Sequence, residues 1–188
     1  MYYIIKDTRQ QEGKHDRKHK QIIDCGVKLL TSCMPCGDYC CFDDLSEETK
    51  QKVYELSHQY ENDLKPKPKL RREVSEALLK EIKVSVDTKQ NLEELSRNLM
   101  NRKDHSRFWK EVRKAKENNI HLIILVEHSK NIKDIKDVAK WDSHFSPICG
   151  RDLMDEIYRT HISYGVDFIF CSKDETGKKI VELLNGKI

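Results

Sequence analysis

Ile120, Leu122, Ile123, Ile124, Leu125 and Val126 form a near-continuous apolar run in a chain whose residues are 36% charged. The run is far too short to cross a bilayer and has the pattern of a strand covered on both faces. Such a strand needs partner strands beside it and helices above and below it. A second run over 166–171, Val-Asp-Phe-Ile-Phe-Cys in order, has the same character. Between and around these runs, apolar residues recur at helical spacing: Leu92, Leu95 and Leu99; Phe108, Val112 and Ala115; Leu153, Ile157 and Tyr158; Ile180, Leu183 and Leu184. Strands alternating with helices from residue 84 onward predict an α/β protein with a sheet covered on both faces.

The first half of the chain follows a looser plan. Residues 2–5 read as a strand with Asp7 and Arg9 just past its end, 15–25 as a charged helix, and 27–34 as a strand after Gly26. Pro35 and Gly37 then mark a turn that delivers Asp38 to the start of another strand. Ser46 is a plausible N-cap for a helix carrying Val53, Leu56 and Tyr60 on one face. Pro66 and Pro68, among Lys65, Lys67 and Lys69, end it, because proline cannot occupy a helix interior. A further helix is expected over 71–81. Residues 43–81 thus read as a helical insertion with a basic hinge, inside a single domain spanning 1–188. Residues 101–105 read as a loop, and 128–150 as polar and irregular.

The chemistry is concentrated at strand ends. Ile82, Val84 and Val86 alternate and lead into Asp87-Thr88-Lys89, for which a strand is expected over 82–88. Side chains two apart in a strand share a face, so Asp87 and Lys89 sit side by side and Thr88 faces away. Asp7, Asp38 and Glu127 are further carboxylates at predicted strand ends. Two or three of them converging on one sheet edge would repel one another unless a cation lay between them. Hard oxygen ligands with retained waters suit Mg²⁺. A neighbouring ammonium can orient the attacking water or stabilise charge on phosphorus-bound oxygens. Phosphodiester cleavage requires a barrier lowering of about 20 kcal/mol, to which a metal and an ammonium can each contribute.

Gly37-Asp38-Tyr39, together with the run from Val86 through Asp87, Lys89, Gln90 and Glu93 to Leu95, resembles the nuclease domain of the XPF-type structure-specific endonucleases. Asp7-Thr8-Arg9-Gln10 is similar to the D-x-R-E strand end of that family, and Arg107-Phe108 with Leu125-Val126-Glu127 to its next helix and strand. Tyr164-Gly165-Val166-Asp167-Phe168 and Thr176-Gly177 are similar to small stand-alone members carried by phages and prophages. The resemblance implies a restriction-endonuclease-like central mixed sheet flanked by helices. It implies a Mg²⁺-dependent endodeoxyribonuclease, with Mn²⁺ able to stand in, acting on branched or structured DNA in repair or recombination and leaving a 5′-phosphate. Asp38 and Asp87 become metal ligands, Lys89 the water-orienting base and Asp7 an auxiliary acid. Arg9, Arg107, Lys110 and Lys114 become DNA contacts, and a homodimer is compatible with it. Three residues depart from the pattern. Asp87 stands where excision-repair members have Glu, Thr88 where they have Arg, and Gln10 where they have Glu. Between Asp38 and Asp87 lie 48 residues, where the family has a short hairpin. The sequence holds no tandem helix-hairpin-helix domain.

The alternative is a nuclease fold that binds DNA or a protein partner without cutting. A net charge of +3 neither demands nor excludes nucleic acid, since local clusters matter more than the total. Cys33-x-x-Cys36 with Cys40 and Cys41 could suggest zinc, but no second ligand pair accompanies them, and buried thiols are the preferred reading. With no membrane-length apolar run and no leader motif, a cytoplasmic protein with reduced cysteines is expected, within a bacterial host if phage-encoded.

Overall fold

A computed structural model describes residues 2–10, 13–62, 64–100, 102–128 and 131–186, with only the backbone of 102–106. Its strands are β1 (Tyr2–Asp7), β2 (Val27–Ser32), β3 (Tyr39–Cys41), β4 (Val84–Lys89), β5 (His121–Glu127) and β6 (Asp167–Cys171). Its helices are α1 (Asp16–Asp24), α2 (Glu47–Glu61), α3 (Pro68–Glu81), α4 (Leu92–Met100), α5 (Arg102–Glu117), α6 (Gly150–Tyr164) and α7 (Thr176–Leu184). The strands form one mixed sheet in the order β2-β1-β3-β4-β5-β6. β1 and β2 are parallel, as are β4, β5 and β6, and the short β3 runs antiparallel between the two parallel sets.

The sheet is covered on both faces, as the apolar run at 120–126 requires. Ile4, Tyr39, Val86, Ile123 and Leu125 face α1 and α7, where Ile22, Ile180 and Leu183 meet them. Ile5, Cys40, Leu122, Ile124 and Val126 face a larger core built from α2 to α6. The helices between β3 and β4 belong to that core. Val53, Leu56, Val74 and Leu78 are all fully buried there. Ser46 caps α2 by accepting from the Thr49 amide, and Glu81, at the far end of α3, accepts from the Ser46 amide and hydroxyl and from Thr49 Oγ1. The stretch expected as an insertion is therefore a tied helical pair.

Some boundaries differ from those predicted, for local reasons. α3 begins at Pro68, whose missing N–H costs nothing in the first turn. β4 begins at Val84 because Ile82 and Lys83 complete the exit from α3. The loop expected over 101–105 is replaced by the first turn of α5 from Arg102, with Asn101 outside the described residues. The irregular stretch at 128–150 contains a 3-10 turn, Lys136–Lys140, and a bridge between Asp142 and Cys149. No described helix is long and apolar enough to cross a membrane.

Candidate active site

Three aspartates arrive from three neighbouring strands. Asp7 ends β1, Asp38 directly precedes β3 and Asp87 lies in β4. Tyr39 pairs with Lys6 on one side and Val86 on the other, and the ladder continues one step further. The Asp7 amide donates to the Asp38 carbonyl at 2.9 Å, and the Asp38 amide to the Val86 carbonyl at 2.8 Å. Gly37 allows this close return. Its φ is +66°, and a Cβ there would lie 2.3 Å from Ser85 Oγ and 3.2 Å from the Val86 carbonyl. The three aspartates line one pocket of about 490 Å³.

Asp87 and Lys89 share a face of β4, and Asp87 Oδ2 lies 2.5 Å from Lys89 Nζ. Both are nearly inaccessible, and the ammonium sits 5.6 Å from the centroid of the Phe108 ring. Burial pushes the Asp87 carboxyl up to about 7: the attraction of Lys89 does not offset desolvation together with repulsion from Asp38 and Glu111. Burial draws Lys89 down, but Asp87 and Asp38 outweigh it and hold the ammonium above its ordinary range. Burial also raises Asp7, despite its 2.5 Å contact with Arg9 Nε and the Met34 amide donated to Oδ1.

Asp38 Oδ2 accepts from the Thr88 amide at 3.0 Å and from Thr88 Oγ1 at 2.6 Å. Among the described residues no donor reaches Asp38 Oδ1 or Asp87 Oδ1. These are two unclaimed carboxylate oxygens on one pocket. No group of three or more His, Cys, Asp or Glu side chains gathers to hold a metal ion among the described residues. Two carboxylate oxygens, with the remaining positions left to water and phosphate, match the ligand habit of Mg²⁺ rather than that of an all-protein cage. The donor set therefore fits a hard divalent cation. The thiols do not join it: Cys33 donates to the Arg71 carbonyl, while Cys36 and Cys40 are buried in the core.

Arg9 and Arg107 reach the pocket, whereas Lys110 and Lys114 are exposed on α5 outside its lining. Arg9 is held by Asp7, by Glu111 Oε1 at 3.1 Å and by the Met34 carbonyl at 3.3 Å. Glu127 does not join the row. Strand alternation turns it to the face opposite Asp87, where it meets Lys18. Two acids missed in the sequence line the pocket instead, Glu94 and Glu111. Glu94 had a readable signal. It accepts from the Gln90 amide while Asn91 Oδ1 accepts from the Glu94 amide, both at 2.8 Å, the exchange expected of a polar residue followed three later by Glu at a helix start. Glu111 had none beyond its helical spacing from Arg107.

Among solved structures the chain is similar to XPF from Aeropyrum pernix, with a TM-score of 0.57 at 12% identity over 98% of this chain. The likeness spans 61% of that protein's chain, and at such identity it shows a shared fold. No curated protein matches. The family model described as "ERCC4 domain" matches residues 7–183, which include Asp7, Asp38, Asp87 and Lys89 and every element from the end of β1 into α7. The chain belongs to the ERCC4 domain family, a family of nucleases.

Proposed function

We propose that the protein is a divalent-metal-dependent endonuclease that hydrolyses phosphodiester bonds in DNA, with branched or structured DNA as its substrate. The observation that supports this best is the meeting of Asp38, Asp87 and Lys89 in one pocket, with an oxygen on each carboxylate to which no described residue donates. Asp38 and Asp87 would hold Mg²⁺ or Mn²⁺, which when bound polarises a phosphate oxygen and acidifies a coordinated water. Lys89 is kept charged by Asp87 and Asp38 and is held against Asp87 and the Phe108 ring. Its ammonium would hold the attacking water or a non-bridging phosphate oxygen. Asp7 acts through Arg9, keeping that guanidinium at the pocket mouth. Arg107 and Lys114 lie two helical turns apart on α5, and with Lys110 they offer a basic line for the backbone phosphates of a duplex arm. The branched substrate is suggested by the family alone.

The test is nicking of supercoiled plasmid and of a labelled branched duplex with Mg²⁺, Mn²⁺ or EDTA. Wild type cuts with metal and not with EDTA. Asp87→Asn and Lys89→Met each lower the cleavage rate by about 10²-fold or more, the scale on which a single charge-stabilising group matters in such sites. A wild-type protein that binds branched DNA tightly but cuts neither substrate with either metal would sink the enzyme reading, leaving a nuclease fold that only binds.

A further inference from the structure

On the far side of β4 from Asp87 lies a buried ionic group that the proposed reaction does not use. Lys18 of α1 and Glu127 of β5 are 5% and 7% exposed, and Lys18 Nζ lies 2.6 Å from Glu127 Oε1. The same ammonium donates to Thr88 Oγ1 at 3.2 Å, and Thr88 Oγ1 donates to Asp38 Oδ2 at 2.6 Å. An ammonium has donors only. It therefore forces the threonine hydroxyl to accept from it, and the one hydroxyl proton must point elsewhere, which here is at Asp38. Glu127 keeps the ammonium in place. Helix α1 is itself fixed by α7: the backbone passes so close that a Cβ on Gly177 would lie 2.4 Å from the Lys18 carbonyl, and Gln21 accepts from the Gly177 amide.

We propose that Lys18, Glu127 and Thr88 are positioning residues, a relay through the sheet that pins Asp38 Oδ2 and thereby presents Asp38 Oδ1 to the pocket. The inference rests on the proposed metal-dependent reading of that pocket. Stability is a weak account of the pair, because replacing a buried ion pair by apolar side chains of similar size is often neutral or stabilising. Residues that orient a metal ligand, by contrast, typically change metal affinity about 10–100-fold when removed.

The experiment measures Mn²⁺ binding to the full chain by calorimetry, thermal unfolding in EDTA, and the Asp38 rotamer in a metal-free crystal structure. Thr88→Val keeps the shape and the backbone bond but deletes the hydroxyl. It weakens Mn²⁺ binding about 10–100-fold, and Thr88→Ser restores it. The double variant Lys18→Met/Glu127→Leu unfolds at or above the wild-type temperature yet binds Mn²⁺ as weakly as Thr88→Val. In the Thr88→Val structure the Asp38 carboxylate has turned. Equal Mn²⁺ affinity in wild type, Thr88→Val and the double variant overturns the relay. An unturned Asp38 overturns it independently of any metal. If wild type takes up no Mn²⁺, the proposed function fails, and the Asp38 rotamer still decides the relay.

Discussion

His19 shows what burial does to a titratable group beside this site. Its Nε2 lies 3.0 Å from Gln10 Oε1 and 3.1 Å from the Tyr39 hydroxyl, with His15 stacked at 6.0 Å. Burial, and then the positive charges of Lys6, His15 and Lys18, push the imidazole down to about 4, against a partial pull from Asp38. The unfolded chain takes up a proton near pH 6.5 while the folded one does not until near pH 4, so the unfolded state binds more protons in that window. Stability from this residue is full above pH 6.5 and is lost as pH falls toward 4. Allowing for partial exposure, the loss is about 1–2 kcal/mol. Urea unfolding at pH 7 and pH 5 should show a smaller drop for His19→Gln than for wild type; equal drops would place the acid sensitivity elsewhere. At this scale the sequence is readable only where a side chain's partner is local. Asp87 and Lys89 face each other because strand period dictates it. Lys18 stands in a run of charges that reads as a solvated helix face, and only the reach of its side chain to Thr88 in β4 and Glu127 in β5 reveals its buried role.

Elements meet in ways that single glycines control. Gly177 occupies the first turn of α7, where alanine is ordinarily the better residue by about 0.5–1 kcal/mol. Here a Cβ would strike the Lys18 carbonyl and the Gln21 Cβ, at 2.4 and 2.5 Å. Gly177→Ala should therefore destabilise the protein by about 1–3 kcal/mol, as overpacking does, with the midpoint of urea unfolding as the readout. A gain in stability would mean that α1 and α7 are not seated this closely. The same test applies across the sheet: Leu56→Ala in α2 should cost about 2–5 kcal/mol, whereas a detachable insertion would lose almost nothing. Helices α2 to α7 were legible from their apolar stripes, and Ser46 from its capping pattern. The pairing of β3 with β4 was not, because 48 residues separate Asp38 from Asp87 and nothing local sets a register over that distance. The first turn of α5 was missed because Asn101 to His105 is polar throughout, and its helicity comes from continuity with the buried face at Phe108, Trp109 and Val112.

For the whole molecule, gathering Asp7, Asp38 and Asp87 at the ends of adjacent strands places mutual repulsion at the centre of the sheet. Asp87 registers it directly, lifted to about 7 by burial and by Asp38 and Glu111 despite its contact with Lys89. A cation that binds only the folded chain relieves that repulsion and adds stability in proportion to RT ln(1 + [M]/Kd). At one hundred times Kd the gain is about 2.7 kcal/mol. For a chain of this size each kcal/mol moves the unfolding temperature by about 2–4 °C, so saturating Mn²⁺ or Mg²⁺ should raise it by about 5–10 °C over EDTA. Asp38→Ala and Asp87→Ala should abolish the metal-dependent rise. In EDTA the two variants should part. Asp38→Ala removes one member of a repelling set and should unfold within a few degrees of wild type. Asp87→Ala strands the buried Lys89 ammonium and should unfold about 6–20 °C lower, since breaking such a pair costs about 3–5 kcal/mol. If Asp38 served the fold, Asp38→Ala would lose stability with or without metal. If Asp38 serves a cation, that variant should lose only the increment that the cation brings.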